Sequence, residues 1–341
     1  MDFLAWFGIR DRARVRVELL GGITTFVSMA YIIVVNPAIL AAAGIPIGPS
    51  TVATICVAVF GTLLMGLYAN RPIAVAPYMG ENAFIAFGLA ALGVTWQERL
   101  GAVFVSGVVF LAITFLGIRS WLARSISTSM KHSFAAGIGL FLAFIGLFET
   151  GIVARAETVP VKLGDLRRLE VLLAIVGFVL IMILIQRRVR GGILIGIAAI
   201  AIAGVLLGLG DAPERIVAMP FVGDYSLAPI AFQLDIAGVL RLSFLPILLT
   251  LFLMSFLDTL GTLVGVGAAG NMLDEKGNFQ EIEKPMTVDA LSCVASGLIG
   301  TSTSGAYIES ATGIREGART GLAAVVTGLL FAVTLFFVPL V

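Results

Sequence analysis

The sequence predicts an all-α polytopic membrane protein, and three observations lead to this fold class. Long apolar runs recur along the 341-residue chain, and most exceed the roughly 18 residues that cross about 30 Å of hydrocarbon. Charged residues make up only 13% of the chain, whereas soluble domains carry about 25%. Two further apolar segments are too short to span a membrane without interruption, which predicts broken helices inside the bundle.

The apolar runs divide the chain into eleven membrane segments. We place them at 17–40, 50–69, 77–92, 99–118, 131–149, 169–186, 191–209, 240–266, 286–299, 305–318 and 320–340. With the N-terminus inside, the inner face receives most of the 22 basic residues, including Arg10, Arg119, Arg124, Lys131 and Lys276. This bias predicts a cytoplasmic N-terminus.

The two short segments are the most informative part of the sequence. They read RPIAVAPYMGENAFIAFGLAALG (71–93) and GTSTSGAYIESATGIREG (300–317). Each begins with a stretch that resists helix formation and then opens a half-helix with an acid in its first turn, Glu81 or Glu309. Interrupted segments at matching positions in two halves indicate the central site of a transporter. The alternative is a pair of re-entrant loops that bind no ligand.

The spacing between the two acids estimates the length of an internal repeat. Glu81 and Glu309 would be equivalent positions, so the first repeat holds seven segments and the eighth segment starts the second. On this basis we expect that about three C-terminal helices of the second repeat are absent from the chain.

Acids in the middle of a membrane segment cost about 2.5–3.5 kcal/mol on insertion scales, so each requires a reason. Asp258 lies in a long apolar run, where Ser255 and Thr262 would share its helix face. We expect Pro246, upstream in the same run, to kink that helix. Glu309 and the pair Glu81 and Asn82 would offer carboxylates and an amide from the half-helices. The alternative is that these acids only tie helices together by hydrogen bonds.

Several classes of function find little support in the sequence. No nucleophile–base motif, nucleotide-binding loop or metal-ligand spacing occurs in a suitable context, so we expect no catalytic residue, metal or cofactor. A basic stripe that could bind nucleic acid is also lacking. Cys56 and Cys293 fall in apolar segments, where they predict small core residues, and His132 falls at an inner boundary, where it predicts an interfacial residue.

Three motifs resemble one known family. NRPIAVAPYMGENAFIAF (70–87), SFLDTLGTLVGVG (255–267) and GTSTSGAYIESATGIREGARTGLAAVVTGLLF (300–331) are similar to the AzgA-like purine permeases of the nucleobase:cation symporter-2 family. The opening LLGGITTFVSMAYIIVVNPAIL (19–40) is similar to the first helix of that group. The resemblance covers essentially the whole chain.

The resemblance implies a fold of fourteen segments in two inverted repeats of seven, with short strands in half-helices 3 and 10. A core domain would contain 1–118 (segments 1–4) and 211–341 (segments 8–11). A gate domain would contain 119–210 (segments 5–7), without its remaining helices. The family imports hypoxanthine, guanine or adenine with protons, sodium being the alternative coupling ion. The implied location is the bacterial cell membrane, with dimers formed through the gate.

The resemblance also implies roles for single residues. Asp258 and Glu309 would bind the base and couple its import to protons, with the backbone of Tyr307 and Ile308 beside Glu309. Thr262 would lie one turn below Asp258. The Tyr307 ring could stack on a base or simply pack. Glu81 and Asn82 match the motif of the third segment. The alternatives are a membrane purine receptor or regulator that does not transport, a truncated permease fragment, and an anion carrier of the same architecture, which the acids disfavour.

Overall fold

A computed structural model describes residues 3–9, 11–117, 128–156, 160–210, 212–213, 215–275 and 279–341. The helices are α1 (Phe3–Trp6), α2 (Arg12–Met29), α3 (Ile32–Ala41), α4 (Ile47–Leu67), α5 (Met79–Ala83), α6 (Leu89–Ala91), α7 (Trp96–Phe115), α8 (Thr128–Glu149), α9 (Leu169–Gln186), α10 (Gly192–Leu206), α11 (Ile236–Val239), α12 (Leu245–Gly270), α13 (Glu283–Ile299), α14 (Ser310–Arg315) and α15 (Gly321–Thr334). The strands are β1 (Val75–Pro77), β2 (Val153–Arg155), β3 (Val161–Leu163) and β4 (Ser304–Ala306).

The predicted helical, multi-pass architecture is confirmed. Six helical stretches in the described part of the chain are long and apolar enough to cross a membrane. The basic residues Arg10, Arg119, Arg124 and Lys276 lie outside the described residues, as do the side chains of Lys131 and His132. The predicted orientation therefore remains a prediction.

Strands β1 and β4 form a short antiparallel pair in the middle of the bundle. Val75 pairs with Ala306, and Pro77 pairs with Ser304. All six residues of the two strands are buried. Extended backbone in an apolar interior needs a partner for every N–H and C=O group, and the two strands supply most of these partners to each other. The prediction that both short segments combine an extended stretch with a half-helix is confirmed, because β1 leads into α5 and β4 leads into α14.

The first predicted segment is one apolar stretch, Ala13–Ala41, in which α2 and α3 are separated at Ala30 and Tyr31. At that break the amide of Ile33 donates to the carbonyl of Ala30 with i→i+3 spacing. One expectation about a long segment was wrong. Pro246 does not kink α12, because it lies in the first turn of that helix. At that position the missing N–H of proline would have no helical acceptor in any case.

Close backbone approach positions the helices around the strand pair. Helices α4 and α15 meet at Gly66 and Gly321, where a Cβ atom added to either glycine would overlap the backbone carbonyl oxygen of the other. Small residues at such a crossing allow the close van der Waals packing that drives helix association in membranes. Helices α4, α12 and α13 then pack against the strands.

Helices α8 to α10 are much less covered by the rest of the chain. Within the chain, only 11% of the Leu169–Gln186 span is buried, compared with 67% of Ile47–Leu67. Large apolar side chains such as Phe178 and Ile202 are exposed there. The division into core and gate domains remains a prediction, but this segment clearly presents most of its apolar surface outward.

Gly305 tests the importance of the strand pair. A Cβ atom at position 305 would overlap the Tyr78 ring, so we expect Gly305→Ala to destabilise the protein by about 1–3 kcal/mol, as overpacking does. The matched control is Gly261→Ala in α12, where nothing lies within 4 Å of an added Cβ atom. Thermal unfolding of the purified protein measures both. Equal melting temperatures for the two variants would contradict this account of the packing.

Candidate functional site: the crossing of the two half-helices

Two backbone hydrogen bonds fix how the half-helices meet. The amide of Tyr78 donates to the carbonyl of Thr303, and the amide of Tyr307 donates to the carbonyl of Ala74, both at 2.9 Å. Each tyrosine follows its strand directly, so the two rings lie nearly parallel, with centroids 6.5 Å apart. The Tyr307 hydroxyl donates to the carbonyl of Pro77 at 2.6 Å. Tyr307 is therefore a packed residue of the crossing, and its amide is already engaged.

Asp289 holds the crossing to α13. Its Oδ2 accepts the backbone amide of Ala306 and the hydroxyl of Thr259, each at 2.9 Å, and the Tyr78 hydroxyl at 3.4 Å. The side chain is fully buried. A carboxylate with a backbone amide among its donors makes charge-assisted hydrogen bonds. Asp289 therefore links both strand-bearing segments to α12 and α13.

Sequence analysis missed Asp289, although a usable signal was present. Asp289 lies inside the predicted ninth segment, 286–299. An acid inside a predicted membrane segment should have raised the same question as Asp258. The structure places Asp289 two turns into α13 (Glu283–Ile299).

Glu81 is a second acid that is fully buried at the crossing, like Asp289. It is fully buried in the first turn of α5, and its Oε2 accepts the Ser255 hydroxyl at 2.7 Å. The hydroxyl of Thr303, just before β4, donates to the same oxygen. The structure thus brings Glu81 and the polar face of α12 together.

Asn36 organises the neighbouring polar cluster. Its amide donates to the hydroxyls of Thr54 at 2.7 Å and Thr301 at 2.9 Å, and its Oδ1 accepts the amide of Asn82 at 2.6 Å. Ser302 also donates to Asn36 Oδ1. Every member of this cluster is buried. Asn82 therefore joins α5 to α3 through its amide nitrogen, while its Oδ1 is buried without a hydrogen-bond partner.

Asp258 and Glu309 are only half-buried, whereas Glu81 and Asp289 are fully buried. Asp258 lies one turn from Ser255 on α12 and interacts electrostatically with Glu81 and Tyr307. Glu309 precedes α14, and its Oε1 accepts the Tyr31 hydroxyl at 2.7 Å. Both acids are near enough to Tyr307 to interact with it electrostatically.

The remaining predicted residues border this arrangement. Thr262 is half-buried one turn beyond Asp258, and Ile308 is exposed, with its side chain next to Gly265. Cys293 is a buried core residue whose thiol donates to the carbonyl of Ser304 at 3.0 Å, whereas Cys56 is half-buried. Tyr31 was also missed, because its partner Glu309 lies 278 residues away.

Broken helices that cross at buried carboxyls, inside a bundle of apolar spans, define a membrane transport protein. The chain belongs to a family of this class: the model described as "Permease family" matches residues 16–341. The resemblance found in the sequence is confirmed, and the protein is a transporter rather than an enzyme.

Two curated relatives and one solved structure support this placement. The adenine permease AdeQ of Escherichia coli K12 is 39% identical over 332 residues, 96% of this chain and 73% of AdeQ. The guanine/hypoxanthine permease GhxP of Escherichia coli O157:H7 is 39% identical over 341 residues, 98% of this chain and 76% of GhxP. The chain thus spans about three quarters of each relative.

The solved structure is the transmembrane domain of the cyanobacterial bicarbonate transporter BicA. It superimposes with a TM-score of 0.69 over 96% of this chain and 83% of BicA, at 18% identity. A likeness at this identity establishes a shared fold and nothing about the substrate.

Replacing Asp289 tests its role in the crossing. Asp289→Ala leaves the Ala306 amide and the Thr259 hydroxyl without their acceptor, so we expect a loss of stability of about 1–3 kcal/mol for each group. Asp289→Asn retains an accepting oxygen and should lose less. Asp165→Ala, which removes an exposed acid, serves as the control and should stay within about 0.5 kcal/mol of the unmodified protein. Denaturation showing Asp289→Ala as stable as the control would contradict the role.

Proposed function

We propose that the protein imports purine nucleobases, namely adenine, guanine or hypoxanthine, together with protons that bind at the carboxyls of the crossing. The observation that carries the proposal is the pair of half-buried acids, Asp258 and Glu309, near Tyr307 in a chain of the permease family. The names of the relatives AdeQ, an adenine permease, and GhxP, a guanine/hypoxanthine permease, agree with this substrate class.

The chemistry of purine bases fits such a site. A base presents ring N–H and exocyclic amino donors in one plane, and two carboxylates approaching from different elements can accept them. A site built to accept these donors rejects analogues that lack them, because its buried acceptors would then stay unpaired. Asp258 on α12 and Glu309 before α14 would hold the base, with the backbone at Ile308 beside it.

The anion-carrier alternative is disfavoured by charge. BicA is named as a bicarbonate transporter, and this chain shares its fold. An anion at the crossing would meet the carboxyls of Glu81, Asp258, Asp289 and Glu309 at short range, and like charges repel strongly where water is excluded.

Transport would follow the general scheme for broken-helix transporters. We infer that the segments bearing the crossing move as a body against helices α8 to α10, which alternately opens the site to each side of a bacterial cell membrane. The outward apolar surface of α9 supports a mobile boundary there. The N-terminus would lie in the cytoplasm, and two inverted repeats of seven segments, with a dimer formed through the gate, would complete the arrangement.

Uptake of labelled adenine, guanine and hypoxanthine at acidic and neutral pH tests the function. Cells lacking their own purine permeases would express this chain, or a chimera carrying the C-terminal segment of AdeQ. We expect uptake of at least one base, stronger at acidic pH and abolished by Glu309→Ala, because that change removes a carboxylate that holds the base. Asp165→Asn is the control.

Two outcomes would redirect the proposal. Binding of a base by the purified chain without uptake by either version would favour a receptor that does not transport. Neither binding nor uptake, with expression verified, would contradict purine recognition.

Replacing Tyr31 tests whether its hydrogen bond orients the Glu309 carboxylate for binding the base. Tyr31→Phe removes the one donor that Glu309 Oε1 has from another segment among the described residues, so the carboxylate loses its fixed orientation. We expect the Kd for the base to rise about tenfold, equivalent to about 1.4 kcal/mol. Tyr68→Phe, at an exposed ring, is the matched control. Isothermal titration showing equal affinity for both variants would remove Tyr31 from this role.

A further inference from the structure

Glu81 has an unusual mixture of partners for a buried acid. Its Oε2 accepts hydroxyls from Ser255 and Thr303, but its Oε1 is buried without any hydrogen-bond partner. The side chain is fully buried. One oxygen of this carboxyl therefore accepts hydrogen bonds and the other accepts none.

Glu81 has acidic neighbours. Among the side chains that the structure describes, no Lys, Arg or His forms an ion pair with it, and the charged groups that act on it are Asp258 and Asp289. A buried carboxylate without a cation is costly, and two nearby carboxylates increase that cost. The position therefore favours a neutral carboxyl that carries a proton.

Asp289 provides an internal comparison. It is equally buried, and its Oδ1 likewise has no hydrogen-bond partner, but its Oδ2 accepts a backbone amide and two hydroxyls. Three donors, one of them a fixed peptide N–H, suit an ionised carboxylate. Glu81 accepts only two hydroxyls, and these can rotate away or turn to accept a proton in their own right.

Other titratable groups around Glu81 come from each packed element. Asp258 faces it from α12, Asp289 and Cys293 from α13, and Tyr78 from the turn before α5. Helix α8 also packs against α5, and it carries Glu149 and, with side chains outside the described residues, Lys131 and His132.

We infer that Glu81 is the proton-binding group that couples base import to the proton gradient, a role the sequence assigned to Asp258 and Glu309. This inference rests on the proposed purine transport. A proton from the outer side adds to Glu81 Oε1 and gives a neutral carboxyl, and the same proton later leaves to the inner side. Ser255 is one turn from Asp258, and Thr303 leads into β4 and Glu309. The charge state of Glu81 therefore affects both acids of the proposed base site. It acts on Asp258 through the Ser255 hydroxyl and on Glu309 through the Thr303 hydroxyl.

Infrared spectroscopy tests the proton directly and needs no bound base. The full chain in lipid nanodiscs would be titrated with acid and base while the C=O stretch of protonated carboxyls is followed, with a deuterium shift as confirmation. We expect a titrating band in the unmodified protein that is missing in Glu81→Gln. Thr303→Val keeps the carboxyl and should keep the band. An unchanged band in folded Glu81→Gln would overturn the inference.

Proton exchange on base binding tests the coupling. Calorimetry with adenine, guanine and hypoxanthine in two buffers of different ionisation enthalpy gives the protons taken up per bound base. At alkaline pH we expect about one proton for the unmodified protein and for the control Asp165→Asn, and none for Glu81→Gln, whose affinity should stay within about tenfold. Proton uptake that persists in Glu81→Gln would overturn the inference.

Replacing sodium by choline at constant pH distinguishes coupling to sodium from coupling to protons. A base affinity that depends on sodium in the unmodified protein but not in Glu81→Gln would replace the proton by a metal cation and overturn the assignment. Failure of the proposed function would look different, since the infrared band would remain while none of the three bases bound.

Discussion

The structure depends on placing two pieces of extended backbone in an apolar interior. Helices satisfy their own amides and carbonyls, but a strand of three residues cannot. Strands β1 and β4 satisfy each other in part, and side chains complete the pairing. Thr62 bonds both the amide and the carbonyl of Val75, Asp289 accepts the amide of Ala306, and Cys293 donates to the carbonyl of Ser304. The reciprocal bonds of Tyr78 and Tyr307 agree with an inverted repeat, which nonetheless remains a prediction.

This pairing also explains where the acids are found. Once two half-helices are forced to meet, their first turns and the facing sides of α12 and α13 share one small volume. Glu81 and Asp289 are sealed within it, and Asp258 and Glu309 stay half-buried at its edge. The same fold thus separates acids that hold the crossing from acids that a substrate can reach. The half-buried acids can therefore bind a substrate while the buried acids keep the two half-helices in place.

Most of this plan could be predicted from the sequence, because the relevant signals are local. The apolar runs, the two interrupted segments and the cost of Asp258, Glu81 and Glu309 in a membrane all depend on short stretches of chain. The wrong prediction for Pro246 also had a local cause. A proline kinks a helix interior but not its first turn, so the prediction depended on locating the start of α12 to within one turn. Partnerships across the chain were not predictable. Tyr31 reaches Glu309 across 278 residues, and Asn36 joins four hydroxyl- or amide-bearing residues that no periodicity connects.

The choice of hydroxyl and amide donors has a consequence for charge. A lysine or arginine beside each acid would fix its charge permanently, whereas serine, threonine and tyrosine satisfy a carboxyl in either protonation state. Among the described residues, Arg99 is the buried arginine, and it donates to the carbonyls of Val94 and Ala86. A cation at that point complements the C-terminal end of the half-helix that begins at Met79. With Arg99 committed to backbone carbonyls, none of the described Lys, Arg or His residues forms an ion pair with the acids of the crossing. The proposed binding of a proton together with the base requires acids whose charge is not fixed in this way.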